Sequence, residues 1–279
     1  IAPERALPDP SLWREWLSNY PDHPGADDAA YWMGRSMERQ GRRYEALVHF
    51  LGMLGHVPGD QDMKIRWRDH VAWLLDVGVT EADLRRFVAD YPDHCELAKY
   101  SLAARAARNH RYQEALDLTE NLRLDKQLLG DTGWDEEWGL ERPDIPRSWL
   151  FRPASTLAED VEFQRGLWRH CLALPGLYEL GHFWSKPGGW RIGYCALLRG
   201  ERSFLWAYSW DAYVNDTRPG FRPDAAVICA EVRKANQNEV ILALMDRVLA
   251  DPGSPELAEK ARYTRFAAFE AQASSGAEA

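Results

Sequence analysis

Two groups of residues carry the side chains that enzymes use. The first is Asp131-Thr132-Gly133-Trp134-Asp135-Glu136-Glu137-Trp138, a run of carboxylates flanked by indoles. Indole faces bind sugar rings, and two carboxyl groups at a suitable separation hydrolyse a glycosidic bond. Neighbouring acids in sequence do not fix that separation, so the run reads more simply as an acidic surface loop anchored by its Trp rings. The second group is His170-Cys171, His182 and Cys195, side chains suited to zinc. Their spacings match no compact zinc pattern, and buried thiols with core histidines are the expected roles. His94-Cys95 with His110 reads in the same way, His94 belonging to a turn. The sequence has no Gly-x-x-x-x-Gly-Lys-Ser/Thr, Gly-x-Gly-x-x-Gly, Gly-x-Ser-x-Gly or His-Glu-x-x-His. ATPase, dinucleotide, serine-hydrolase and zincin readings lose their usual support. No catalytic residue, metal or cofactor is assigned.

Composition narrows the partners. The 279 residues hold 34 Lys plus Arg against 43 Asp plus Glu, a net charge of −9, which repels phosphate backbones and disfavours nucleic acid. At ~100 to 200 residues per domain the length gives one or two domains, with a core large enough to need no disulfide or metal. No stretch approaches the ~20 apolar residues of a membrane helix; even Leu47 to Val57 is interrupted by His49, Gly52, Gly55 and His56. Cys95, Cys171, Cys195 and Cys229 form no Cys-x-x-Cys pair. Four buried thiols are expected, a Cys171 to Cys195 bridge staying open for an oxidising compartment. The opening at Ile1, with Pro3, Pro8 and Pro10, fits a mature exported protein or a chain cut downstream of a targeting segment. A lipid anchor upstream stays open.

The elements that must position these residues are helices. Apolar residues recur at helical spacing in Trp13, Trp16, Leu17, Tyr20, in Tyr44, Leu47, Val48, Leu51, in Leu84, Phe87, Val88, Tyr91, and in Val240, Ile241, Leu244, Met245, Val248. Short stops separate them: Tyr20-Pro21-Asp22-His23-Pro24, Val57-Pro58-Gly59-Asp60, Tyr91-Pro92-Asp93-His94 and Asp251-Pro252-Gly253-Ser254-Pro255. In each, Pro removes a backbone donor and an acid or hydroxyl can cap the next helix. Short connections make consecutive helices antiparallel neighbours. The stops also recur, with 37 residues from Pro21 to Pro58 and 34 from Pro58 to Pro92. Arg43-Tyr44-Glu45-Ala46-Leu47 returns as Arg111-Tyr112-Gln113-Glu114-Ala115-Leu116. A period near ~34 with two helices per unit predicts a helical solenoid, because a lone hairpin cannot bury both its faces.

These residues resemble the tetratricopeptide repeats. Gly34, Ala46, Phe50 and Pro58 have the spacing of that family's small-residue, alanine, aromatic and proline positions, with Gly41-Arg42-Arg43-Tyr44 as the interhelical turn, and the resemblance implies that Gly34 meets Ala46 where the paired helices approach closely while Phe50 fills the gap to the next unit. A second unit keeps Ala103 and Ala115 but has Thr119 and Gln127 in place of the aromatic and proline. The stretch from Gln61 to Val88 is more degenerate, with Arg68 and Thr80 at the small positions. The run from Tyr20 to Tyr31 is similar to exported bacterial repeat proteins of the cell envelope. The resemblance implies an all-α right-handed superhelix, with repeats over residues 11–125 and a repeat-like hairpin over 236–272. The ends, 1–10 and 273–279, are flexible by expectation.

Residues 126–235 stand apart. They hold eight of the 13 Trp. Leu157 to Leu172 reads as a helix, whereas 190–210 is a buried helix pair or a short β-hairpin, helix being favoured.

In the resembled family the first helices of the units line a concave groove that takes peptides. The matching positions here are Tyr31, Trp32, Arg35 and Arg39, then Tyr100 and Arg108, with Asp28 and Glu38 beside them. Tyr and Trp offer rigid contact area and Arg forks onto carboxylates. The expectation is a noncatalytic peptide- or protein-binding scaffold, periplasmic or otherwise exported, a cytoplasmic location being the alternative. The rival function is an envelope carbohydrate binder or glycoside hydrolase using the Trp-rich section.

Overall fold

A computed structural model describes residues 9–53, 63, 67, 70, 71, 74–122, 157–185 and 237–277. Among them the regular structure is helical and no strand occurs. Described residues up to Ala98 belong to one compact unit and those from Lys99 onward to a second.

The first unit contains α1 (Pro10–Asn19), α2 (Ala26–Arg39), α3 (Arg43–Met53), a π-turn (Leu74–Gly78) and α4 (Glu81–Asp90). Each helix packs on the next: α1 on α2, α2 on α3, α3 on α4. Local chemistry sets their starts. Asp9 caps α1 through the Ser11 N–H at 2.8 Å, with Pro10 at the first helical position. Thr80 caps α4, its hydroxyl accepting from the Asp83 N–H at 3.1 Å while the Asp83 carboxylate accepts from the Thr80 N–H at 3.2 Å. Thr80, one of the departures from the repeat's small-residue positions, is therefore a helix cap. Arg68, Pro58 and Gln127 lie outside the described residues.

The second unit contains most of α5 (Glu96–Arg108), then α6 (Tyr112–Leu118), α7 (Leu157–Ala173), α8 (Leu177–Trp184), α9 (Gln237–Ala250) and α10 (Pro255–Ala277). Here α6 packs on α7, α8 on α9, and α9 on α10. The helix expected at Leu157 to Leu172 is α7, and the expected terminal hairpin is α9 with α10. Gly253, at φ 64°, turns that hairpin, and the Ser254 hydroxyl accepts from the Leu257 N–H at 3.1 Å. Residues 190–210, including the β-hairpin alternative, are outside the described residues.

Two motifs that recur in sequence also recur in backbone geometry. Tyr20 ends α1 at φ −134°, ψ 57°, and Tyr91 ends α4 at φ −132°, ψ 63°. Each donates its N–H four residues back, to Trp16 and Phe87, and each ring lies near the ring of that same residue. The interhelical turn is likewise built twice. After α2, Gly41 adopts φ 75°, its N–H bonding Glu38 O at 2.9 Å while the Arg42 N–H bonds Met37 O at 2.9 Å. After α5, His110 adopts φ 58°, with the His110 N–H on Ala107 O at 3.0 Å and the Arg111 N–H on Ala106 O at 2.9 Å. This left-handed closure satisfies the last carbonyls of a helix, and glycine adopts it without a Cβ penalty. An Arg then pairs with a Glu three residues on in both places, Arg42 with Glu45 and Arg111 with Glu114.

Close approach at Gly34 holds, with a different neighbour from the one expected. A Cβ there would overlap the Phe50 ring and reach His49 Cδ2 at 3.0 Å, so the aromatic and not Ala46 occupies the space beside the glycine. Phe50 is fully buried, with ring centroids 5.0 Å from Trp67 and 4.7 Å from His70.

Candidate functional site

The expected groove residues divide by burial. On α2, helical rotation of 100° per residue brings Asp28, Trp32, Arg35 and Arg39 within about 60° of one another. Three of these side chains reach solvent: Asp28, Trp32 at 36% exposure and Arg39. Tyr31 sits beside the stripe, half-buried, its ring edge-on to Trp32 at 5.4 Å and within 6.0 Å of Trp67. It steadies the indole from behind. Tyr100 and Arg108, in the second unit, are 0% and 2% exposed and belong to its core.

Arg35 is in the stripe by position but turns inward. Its side chain is 13% exposed, and Nη1 lies 2.8 Å from His70 Nδ1 and Nε 3.9 Å from Glu38 Oε1. His70 Nε2 lies 2.5 Å from Glu38 Oε1, both side chains being buried. A guanidinium has only donors, so Nδ1 of His70 is the accepting nitrogen. Nε2 then carries the proton and donates it to the carboxylate. This tautomer is neutral, in keeping with a His70 pKa held below its ordinary value, first by burial and then by Arg35, against the upward pull of Glu38. Both ring nitrogens are committed, so His70 has none left for acid–base work on a substrate. The second oxygen of Glu38, Oε2, is buried without a hydrogen-bond partner. The network ties α2 to the segment containing His70 and holds the face on which Trp32 stands.

His70 and Trp67 were not among the expected site residues, because 61–88 reads as degenerate against the repeat pattern. A signal is nonetheless present. Met63, Trp67, His70, Val71 and Leu74 recur at helical spacing, and all five are buried. The Trp67 indole N–H donates to Phe50 O at 3.1 Å, joining this face to α3.

The His/Cys group of the second unit disperses. Cys171 is a buried free thiol beside the Tyr112 hydroxyl, and burial pushes its pKa up to about 12. The Tyr112 hydroxyl also accepts from the Trp184 indole N–H at 3.3 Å and lies 2.9 Å from His110 Nδ1. His170 packs on Phe183, and His182 stacks on Tyr178. Cys95 is a second buried free thiol. Among the described residues no cluster of three or more His, Cys, Asp or Glu is placed to hold a metal ion. No helix of the described residues is long and apolar enough to cross a membrane. Asp135, Glu136, Glu137, Cys195 and Cys229 lie outside the described residues, as do the Trp residues of 126–235 other than Trp168 and Trp184.

What this geometry offers is a rigid helical face with a half-exposed indole between an acid and a base. Comparison with known proteins adds no assignment: no family model, no curated protein and no solved structure matches the chain.

Proposed function

We propose that the chain is a noncatalytic scaffold of tetratricopeptide-like helical repeats that holds a protein or peptide partner along α2, in the bacterial cell envelope. The observation that carries the binding role is the exposed Trp32, on one stripe with Asp28 and Arg39 and backed by Tyr31. A Trp held from behind loses little freedom on binding, and Trp and Arg are enriched among the residues that dominate interface energetics. The charge order along the helix gives the partner a direction. A basic group belongs near Asp28, and a carboxylate, from a side chain or a C-terminus, near Arg39. The repeat assignment draws support from the interhelical turn and the tyrosine stop, each built twice with the same hydrogen bonds. The envelope location rests on the likeness of the run from Tyr20 to Tyr31.

The test is affinity capture with the intact chain from separate envelope and cytosolic extracts, comparing wild type with Trp32→Ala and Arg39→Glu. Both side chains are exposed, so either substitution leaves the fold intact by circular dichroism. Wild type should recover a defined protein from the envelope fraction, and each variant should recover at least about tenfold less, from the ~2 kcal/mol or more lost at a hot spot. Equal recovery by all three chains overturns the site. A partner found only in cytosol overturns the location alone.

A further inference from the structure

We propose that the Tyr112 hydroxyl is a proton-operated switch: it donates to His110 while that imidazole is neutral, and protonation of His110 turns the donation onto the sulfur of Cys171. The cluster is assembled from successive elements of the second unit. His110 closes the turn after α5, Tyr112 opens α6, Cys171 stands near the end of α7 and Trp184 ends α8. Tyr112, Cys171 and Trp184 are 4%, 5% and 0% exposed, whereas His110 is only part-buried. Protons therefore reach the cluster through His110, whose ring stands edge-on to both Tyr112 and Trp184.

One hydroxyl meets three polar neighbours, and the inventory of donors leaves two arrangements. An indole N–H only donates, so Trp184, at 3.3 Å, takes one lone pair of the Tyr112 oxygen in both. In the first arrangement the Tyr112 O–H points at His110 Nδ1, 2.9 Å away, and the second lone pair receives the Cys171 S–H. In the second, Nδ1 carries a proton and donates to that lone pair, so the O–H has to turn to Cys171. An imidazole nitrogen is a better acceptor than a thiol sulfur, which is weak in either role. The first arrangement is thus that of the neutral ring, with its proton on Nε2. An imidazolium has a proton on both nitrogens and only donates, so it imposes the second. No heavy atom moves between them, and the Trp184 N–H and Tyr112 O–H keep partners in both, so the buried cluster survives protonation of its histidine.

Among the described residues, the charged group acting on His110 is Arg247 of α9; the titratable groups of the cluster are Tyr112 and Cys171, and α8 presents the neutral Trp184. Burial, and then Arg247, holds the His110 pKa below its ordinary value, so the switch turns below about pH 6.5. Once turned, Cys171 has a hydroxyl donor against its sulfur and a cationic ring behind that hydroxyl, surroundings that favour a thiolate. The output of the switch is a buried thiol whose acidity follows the protonation of a histidine nearer the surface.

The imidazole nitrogen-15 shifts of the intact chain, assigned through His110→Asn, locate the ring proton directly. Above about pH 7.5 they should show Nε2 protonated and Nδ1 bare. As acid protonates both nitrogens, the S–H stretching band of Cys171, isolated by subtracting the spectrum of Cys171→Ser, should move to higher frequency, because a donated S–H becomes a free one. In Tyr112→Phe, checked for folding by circular dichroism, the band should stand at the higher frequency at every pH. A neutral ring protonated at Nδ1, a Cys171 band that does not follow the His110 titration, or a chain that unfolds before His110 titrates each overturns the proposal.

Discussion

At Glu38 a carboxylate is buried with one oxygen on His70 and the other without a partner. Removing it would take the acceptor from the His70 Nε2–H and a carboxylate from beside Arg35. Glu38→Ala should lower stability by about 1 to 3 kcal/mol, the cost of breaking a buried hydrogen bond to a charged group. Glu38→Gln keeps an acceptor for Nε2–H and removes a buried charge, so it should cost less. Denaturant midpoints of the two variants give the order directly, and an Ala variant no worse than the Gln variant would mean the network contributes nothing. Tyr44 shows the same economy near the surface. Its hydroxyl donates to Asp90, Arg86 covers its ring at 3.9 Å, and burial with the Asp90 bond raises its pKa to about 12. How much of this was legible in the sequence depended on reach. The turn at Gly41 and the stops at Tyr20 and Tyr91 are local chemistry and could be read. The partners of His70 lie 32 and 35 residues upstream, beyond any spacing rule. The resemblance implies that Arg35 faces a ligand, and the residue does lie on the α2 stripe. The side chain's inward turn depends on a residue that periodicity alone could not bring to it.

Between elements, contact is set by how closely two helices can approach, and two glycines separate this from propensity. Gly34 of α2 faces the Phe50 ring, which is boxed in by Trp67, His70 and Tyr31. Gly181 of α8 faces the terminal methyl of Met245 on α9, an end that swings aside. An alanine gains up to about 1 kcal/mol of helix propensity at either site, so the difference between the two substitutions isolates the contact. Gly34→Ala should be net destabilising, by about 1 to 3 kcal/mol before that gain, and Gly181→Ala neutral or stabilising. Chemical denaturation with an unchanged m-value checks it, and equal midpoints for the pair would refute the close approach at Gly34. The sequence marked Gly34 as a small position but named Ala46 as its neighbour, because a repeat pattern gives positions and not ring orientations. At Thr80 the repeat pattern marks only a departure, whereas the capping chemistry is local: Thr80-x-x-Asp83 is a capping box that starts α4.

Over the whole molecule, buried imidazoles give stability its pH dependence. His49 and His70 in the first unit and His110 in the second all have pKa values lowered, chiefly by burial. The unfolded chain takes up these protons near pH 6.5, and the folded chain only at lower pH. Below about 6.5 the unfolded state binds more protons, so stability is full above that value and falls as pH drops. The denaturation midpoint should be flat above about pH 7 and decline from about 6.5 downward. In His110→Asn, which tolerates the left-handed backbone, the decline should be shallower. A midpoint that rises between pH 7 and 5.5 would contradict these burials. The sequence supplied helical class and hairpin order, but not the division after Ala98, which depends on contacts distant along the chain. That division gives the two shielded thiols a further use. Cys95 belongs to the first unit and Cys171 to the second, and both are covered in the native state. An alkylating reagent reaches either sulfur only when its surroundings open. With Cys195 and Cys229 replaced by Ser, the labelling half-times at the two sulfurs become two clocks in one chain. Equal half-times at every denaturant concentration would mean a single cooperative opening, and diverging ones would time the loosening of each unit separately.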